Sequence, residues 1–584
     1  MLVLAPLRLA ATLLAAPAPP PTAPAPSPAA SAEDQRFTRF VGETLDAYWK
    51  LNPEWAFALG SYKYAATLPA PDAAWRKSLA AFHDRSLRTL ATFSPARLDP
   101  SNRVDLELLR GQFEAERWSL QTFRDWAWQP SQYNVGDGFA RMLDVEYAPL
   151  PQRLRDVSAR LALVPAYYAA ARASLETPTL EHTQLAILQN QGALGVFGDD
   201  LLAKVDGAPL EADEEATLRA RVAETRRAIE GHLAFLQALE GRLAKGGARS
   251  FRIGKALHDR KFALQGQSIL TAEELYRRAL IEKASLQDQM ELLARVLWPK
   301  HLPGQPMPQD RLKLIGAVID ALGRHHAAPD QLLPTIRREV AALEAFVREH
   351  DLVDQDPTKP LTVRETPAYL RGVAGAGLDA PGPYDPGVRS YYNVTPPEAG
   401  DAESFLREYN DWMLQILDIH EAVPGHYVQL LHSNRNPSVV KTVFGSGAMS
   451  EGWAVYAQRM MLEAGWGDNA PELWLMELKM ELRVAVNTIL DREVHAGTLD
   501  QAGAVELLRR QAFQSESEAA EKWKRVTLTQ TQLMTYFDGF AQIMALRGEE
   551  QARLGPSFRP RAFHDRFLSY GSAPVKVIRS LMRE

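Results

Sequence analysis

Apolar residues recur at threes and fours along most of the chain, and TAEELYRRALIEKASLQDQMELLARVLWP, residues 271–299, carries the pattern most regularly. Leu275, Ala279, Leu286, Met290, Leu293 and Leu297 fall along one helical stripe. Thr271 with Glu274 has the spacing of a capping box, and Pro299 predicts the end of the run. Similar runs at 35–50, 78–95, 103–124, 151–175, 210–244 and 331–350, divided by Pro and Gly, predict a helical scaffold over the first half. They follow no fixed period, so a solenoid is not expected.

Residues 355–400 break the pattern. They are rich in Gly and Pro around two short extended candidates, Leu361–Arg364 and Arg389–Val394, which predicts loops and a small sheet. GVAGAG, residues 372–377, lacks the strand-turn-helix setting of a nucleotide loop and reads as a flexible loop. Helical periodicity resumes at 401 and persists to the end. The expectation is a mostly α chain in two lobes: a helical scaffold lobe over 33–354, and a second lobe over 355–584 with a small sheet.

Composition narrows the chemistry. The 66 Lys and Arg residues are interspersed among 72 acids, for a net charge of -6, so no basic stripe invites nucleic acid. Cysteine is absent, which excludes disulfides, thiolate metal sites, cysteine nucleophiles and a lipid-anchored cysteine after a leader. Any metal must therefore sit on His, Asp or Glu. Residues 1–32 join a short apolar run, interrupted by Arg8, to a Pro/Ala tract; this reads as a secretory signal and linker, with Ala30-Ser31-Ala32 the best-placed cleavage site. The expected location is periplasmic or secreted, and the alternative is an N-terminal tail on a cytoplasmic protein. No later stretch approaches the roughly 18 uninterrupted apolar residues of a membrane span.

HEAVPGH, residues 420–426, is the pivotal motif. Its histidines stand six apart, which in a regular helix would turn them about 240° from each other. Pro424-Gly425 supplies a break, since proline removes a backbone donor and glycine accepts backbone geometry that others refuse. The expected result is a bulge that swings His426 back beside His420. A catalytic metal wants a third protein ligand and an open position. Glu451, in GSGAMSEGWAVYAQRMM and just inside a helix that Ser450 would cap, offers a two-histidine, one-carboxylate set. The bland reading of Glu451 alone is an acid favoured at a helix N-terminus.

The chain resembles the bacterial DUF885 family, relatives of the gluzincin metallopeptidases, over nearly its whole length. The resemblance rests on YWKLNPEWAFALGSYKY, RSYYNVTPP, HEAVPGHYVQ, SEGWAVYAQRM, LDREVHAG and LTQTQLMTYFDG. It implies a mostly helical, zincin-like two-lobed fold with Zn2+ on His420, His426 and Glu451. Two departures bear on substrate choice: Tyr427 stands where the family commonly has His, and Gln530-Thr531 replaces a Pro-Gly before Gln532. The residue types then suggest the chemistry, with Glu421 as the general base that moves a water proton to the leaving amine of a peptide or small amide. By resemblance His495 and Tyr536 are candidates to stabilise the developing oxyanion; their bland readings are a helix-capping histidine and a core tyrosine. The candidate strand Arg389–Val394 could add an extended substrate to its edge.

Two rival readings stand beside a peptidase. AMSEG, residues 448–452, approximates a nucleophile elbow with Ser450 as nucleophile, but the chain lacks the alternating β/α context. A non-enzymatic binding protein on a zincin scaffold would be signalled by loss of a ligand or base, and neither is lost. His325-His326, His350 and His432 are expected at the surface or at helix ends, and the aromatics around Trp298 and Trp474 in the core.

Overall fold

The computed structural model describes residues 31–366, 376–385, 387, 389–397, 400 and 402–583. Residues 1–30 of the leader expected over 1–32, and the part of GVAGAG at 372–375, lie outside these residues. The chain is mostly α-helical with one small sheet, as the periodicity predicts.

Most predicted helices form near their expected bounds, at Ala32–Leu51, Ala73–Leu90, Pro100–Trp118, Ala212–Leu243 and Leu332–Glu349. The run at 151–175 divides into Leu150–Leu161 and Val164–Ser174, with Pro165 in the first turn of the second helix, where a missing N–H does no harm. The capping box is present: Glu274 N–H donates to the Thr271 hydroxyl at 3.2 Å, and Thr271 N–H to the Glu274 carboxylate at 2.8 Å. Pro299 does not end that helix, which runs from Ala272 to His301, because the proline falls in the last turn and Leu302 N–H still closes on Trp298 O at 2.9 Å.

Two large buried apolar clusters and a small third one of Phe123, Trp128 and Ile253 form the core of the described residues. One large cluster lies between Phe57 and Leu243, and the second runs from Phe37 through Ala272–His301 and Leu332–Glu349 to Met582. The second cluster draws on residues from both sides of residue 354. The cause is packing of Ala272–His301 along the long helix Pro471–His495, which joins the late scaffold to the second half.

The sheet holds β1 (Leu361–Glu365), β2 (Ala376–Asp379) and β3 (Ser390–Val394) in the order β1-β3-β2. β1 runs parallel to β3 with Leu361 opposite Ser390, and β2 antiparallel with Ala376 opposite Val394. β2 was missed because its Gly-containing sequence carries no strand pattern. It also corrects the expectation for Arg389–Val394: β3 is the central strand with both edges paired, so no free edge remains there for a substrate. Its role is attachment. Tyr392, fully buried on β3, donates its hydroxyl to Asp418 at 2.9 Å and so ties the sheet to Asp411–Glu421.

Candidate metal centre

The helical stretch before HEAVPGH forms two helices, Ala402–Glu408 and Asp411–Glu421. Asn410 caps the second, its side chain accepting from the N–H groups of Trp412 and Met413 at 3.2 Å. This helix ends at Glu421, and a new one begins at His426. Between them Gly425 N–H closes on Ile419 O at 3.0 Å, and Gly425 passes so near the carbonyls of His420 and Ile419 that any Cβ would collide with them. Buried Trp453 donates its indole N–H to Pro424 O at 2.9 Å, pinning the break to the helix Gly447–Glu463. The break thus turns a six-residue spacing into neighbouring imidazoles, with ring centroids 4.8 Å apart and planes at 87°.

Glu451 completes a cluster. Its Oε2 lies 3.7 Å from His420 Nε2 and 3.4 Å from His426 Nε2, and one donor atom from each residue lies within 4.8 Å of the others. Among the described residues no other group of three His, Asp or Glu side chains comes so close. The helix of Glu451 is capped by Ser446, whose hydroxyl accepts from Met449 N–H at 3.4 Å. Ser450 sits a turn inside it, so the expected cap is corrected. The same placement leaves Ser450 without the strand-to-helix turn of a nucleophile elbow.

The electrostatics are those of a coupled site. Burial would raise the Glu451 carboxyl, but the imidazoles of His420 and His426 outweigh it and hold the group well below the usual carboxylate range. Burial would lower the His426 imidazole, but its hydrogen bond to Glu451 and the charges of Glu451 and Glu421 raise it. Glu421 is half-buried at the end of its helix, next in the chain to His420.

Do these donors fit a zinc ion? Tetrahedral N and O ligands at about 2.0–2.2 Å stand about 3.4 Å apart, which matches the His–Glu separations. The support for His420 also fits. The side-chain amide of Gln458 lies 2.9 Å from its Nδ1, and Gln458 Oε1, buried, has no other partner. A half-turn of that amide lets Nδ1–H donate to Oε1, the tautomer that frees Nε2 as a ligand. Sequence reasoning missed Gln458, though its signal was available: seven residues after Glu451, two helical turns on, it shares that residue's face.

Two helix pairings place the remaining candidates. Tyr536 lies on Thr535–Leu554, which packs on Gly447–Glu463 through Gly452 and Gly539. Burial and then the Glu451 carboxylate push its phenol up, so it stands within electrostatic reach of the cluster. Its hydroxyl accepts from Arg525 Nη2 at 2.9 Å, an arrangement no sequence signal announced. His495 is placed elsewhere. It is fully buried, with Nε2 2.8 Å from both Val526 O and Thr529 O, so its ring caps the end of the helix Glu516–Leu528. No hydrogen bond joins it to the cluster among the described residues.

The departures also find places. Tyr427 is buried and donates its hydroxyl to Lys359 O. Thr531 holds φ at 65°, a left-handed conformation that glycine adopts freely and a β-branched residue resists. His432, expected at the surface or at a helix end, lies in the last turn of His426–Asn434, buried with Nε2 3.0 Å from Asp354 O. His326 lies 3.4 Å from Glu403.

The family described as "Bacterial protein of unknown function (DUF885)" matches residues 53–582, and the chain belongs to it. A solved structure of a "putative lipoprotein of unknown function" from Shewanella oneidensis is similar, with 45% identity and a TM-score of 0.84 over 94% of this chain and 100% of that one. A "putative lipoprotein" from Colwellia psychrerythraea shares the fold at 18% identity, with a TM-score of 0.77 over 94% of this chain and 98% of that one. No curated protein matches. No described helix is long and apolar enough to cross a membrane.

Proposed function

We propose that the chain is a zinc-dependent hydrolase of the gluzincin type, acting on peptide bonds. The observation that carries the reading is the convergence of His420, His426 and Glu451, one donor atom each within 4.8 Å, beside the half-buried carboxylate of Glu421. Three protein ligands leave a coordination position open, the pattern of catalytic rather than structural zinc. When bound, zinc supplies Lewis acidity for a carbonyl and acidifies water. Glu421 takes the proton of the attacking water and returns it to the leaving amine. Tyr536, whose oxygen already accepts from Arg525, keeps its own O–H to donate toward the carbonyl oxygen as negative charge builds there. Gln458 fixes the His420 ring throughout.

The test combines metal analysis of the purified protein with mass spectrometry of a peptide library incubated with it. Zinc with cleaved peptides is the expected result. Full zinc occupancy with no cleavage would favour the binding-protein reading.

The same reading includes export to the periplasm or beyond. It draws on the leader-like first 32 residues and on the description of the relatives as lipoproteins, although this chain has no cysteine to carry a lipid. A fusion of residues 1–40 to a reporter active only outside the cytoplasm should give signal, and a silent fusion would count against export.

A further inference from the structure

Arg525 stands at the candidate site with its charge unspent. It projects from Glu516–Leu528, is exposed, and uses Nη2 for two neutral acceptors, Gln532 Oε1 and Tyr536 OH, both at 2.9 Å. Among the described residues no carboxylate lies within ion-pair distance of its guanidinium. Other arginines nearby are treated differently: Arg483 is paired with Glu518, and Arg492 with Asp259 and Glu273. The two bonds from Nη2 hold the plane of the guanidinium still, and no hydrogen bond is seen from its remaining N–H groups among the described residues. A fixed planar fork with free donors is the arrangement that takes a carboxylate with two parallel bonds.

Tyr536 links this fork to the cluster: its helix packs on that of Glu451 through Gly452 and Gly539, and its hydroxyl accepts from Arg525. We propose that Arg525 receives the terminal carboxylate of the substrate, so that the site removes the last residue from peptides with a free C-terminus. This rests on the peptidase reading above and narrows it. The reach is right for one residue. An oxygen that accepts from Tyr536 at about 2.7 Å lies within about 6 Å of Arg525 Nη2, and one residue of extended chain spans about 3.5 Å. A longer tail beyond the scissile bond would carry its carboxylate past the fork.

A plainer role for Arg525 is support of the Tyr536 ring alone, and binding measurements separate the two. Zinc-loaded Glu421→Gln protein, which should bind without turning over, is titrated by calorimetry with one tripeptide as its free acid and as its C-terminal amide. The acid should bind about ten- to a hundredfold more tightly, the range of one charge-assisted contact. Adding Arg525→Met should erase that difference, and Arg525→Lys should restore part of it. Equal binding of acid and amide before Arg525 is touched would overturn the proposal, whatever the folding of the arginine variants. So would an equal loss of both ligands on Arg525→Met, which is what mere support of Tyr536 predicts. The two readings fail separately. Wild-type turnover of acid and amide alike removes the carboxylate receptor and keeps the peptidase, whereas selective binding of the acid without turnover keeps the receptor and removes the peptidase.

Discussion

Gly452 and Gly539 bring two helices into backbone contact one residue from Glu451 and three from Tyr536. A Cβ on Gly452 would collide with the backbone of Gly539 and Phe540, and one on Gly539 with the Ala448 carbonyl and Gly452 Cα. Neither obstacle is a flexible side chain, so any substitution must push the helices apart. That contact sets the distance between a proposed ligand and the proposed oxyanion donor.

Gly539→Ala should therefore destabilise the protein and damage the site together. Overpacking a close helix contact costs about 1–3 kcal/mol, and thermal unfolding would show it as a lowered midpoint. Turnover should fall further than stability alone explains, because a small displacement of Tyr536 weakens an oriented contact. An unchanged midpoint would mean that the helices can separate freely, against the packing described here.

The metal assignment predicts about one zinc per chain, lost in His420→Ala, His426→Ala and Glu451→Ala. Elemental analysis after dialysis is the direct check, and full occupancy in all three variants would remove the assignment. Glu421→Gln should keep the metal and lower turnover by about a hundred- to ten-thousandfold, since it removes a proton shuttle without removing a ligand. Retained activity in that variant would point to another base.

Asp538 makes the stability depend on pH. Burial pushes its carboxyl up to about 6 from 3.8, against the hydrogen bonds from Ser268 and Gln542, and its Oδ2 has no partner. The folded chain therefore binds the proton more tightly than the unfolded chain. The stability this contributes is full below about pH 4 and is lost as pH rises through about 6. Asp538→Asn keeps the shape without the ionisation, so it should flatten the fall in melting temperature between pH 5 and pH 8. An identical slope in wild type and variant would show that other groups set it.

Much of this was legible in the sequence, for identifiable reasons. Periodicity located the helices because each buries one stripe, and HEAVPGH announced its own break because only Gly425 tolerates the carbonyls of His420 and Ile419. What was not legible has a different cause. β2, the core that spans residue 354 and the surroundings of His495 each depend on partners far away in the chain: β3 for the strand, Pro471–His495 for the core, and the carbonyls of Val526 and Thr529 for the histidine. Local pattern cannot report such partners. Arg525 was silent for the same reason, because an exposed basic residue on a helix has no signature until the helix meets Tyr536.

Tyr536 offers the sharpest test of the chemistry. Its ring is partly buried against the main core, which is the bland role of any helical tyrosine, while its hydroxyl is held by Arg525 and lies within reach of the Glu451 charge. Tyr536→Phe keeps the ring and removes only the hydroxyl. If that group donates to the oxyanion, melting temperature, zinc content and substrate affinity should stay nearly unchanged, because the lost bond exists mainly in the transition state. The turnover number should then fall by roughly ten- to a thousandfold, as it does when one preorganised donor is removed from such a site. Arg525 loses one of its two acceptors in the same variant, so a modest rise in KM confined to free-acid peptides would fit as well. Equal turnover in Tyr536→Phe and wild type would return the residue to the core and leave the oxyanion to the metal and its ligands.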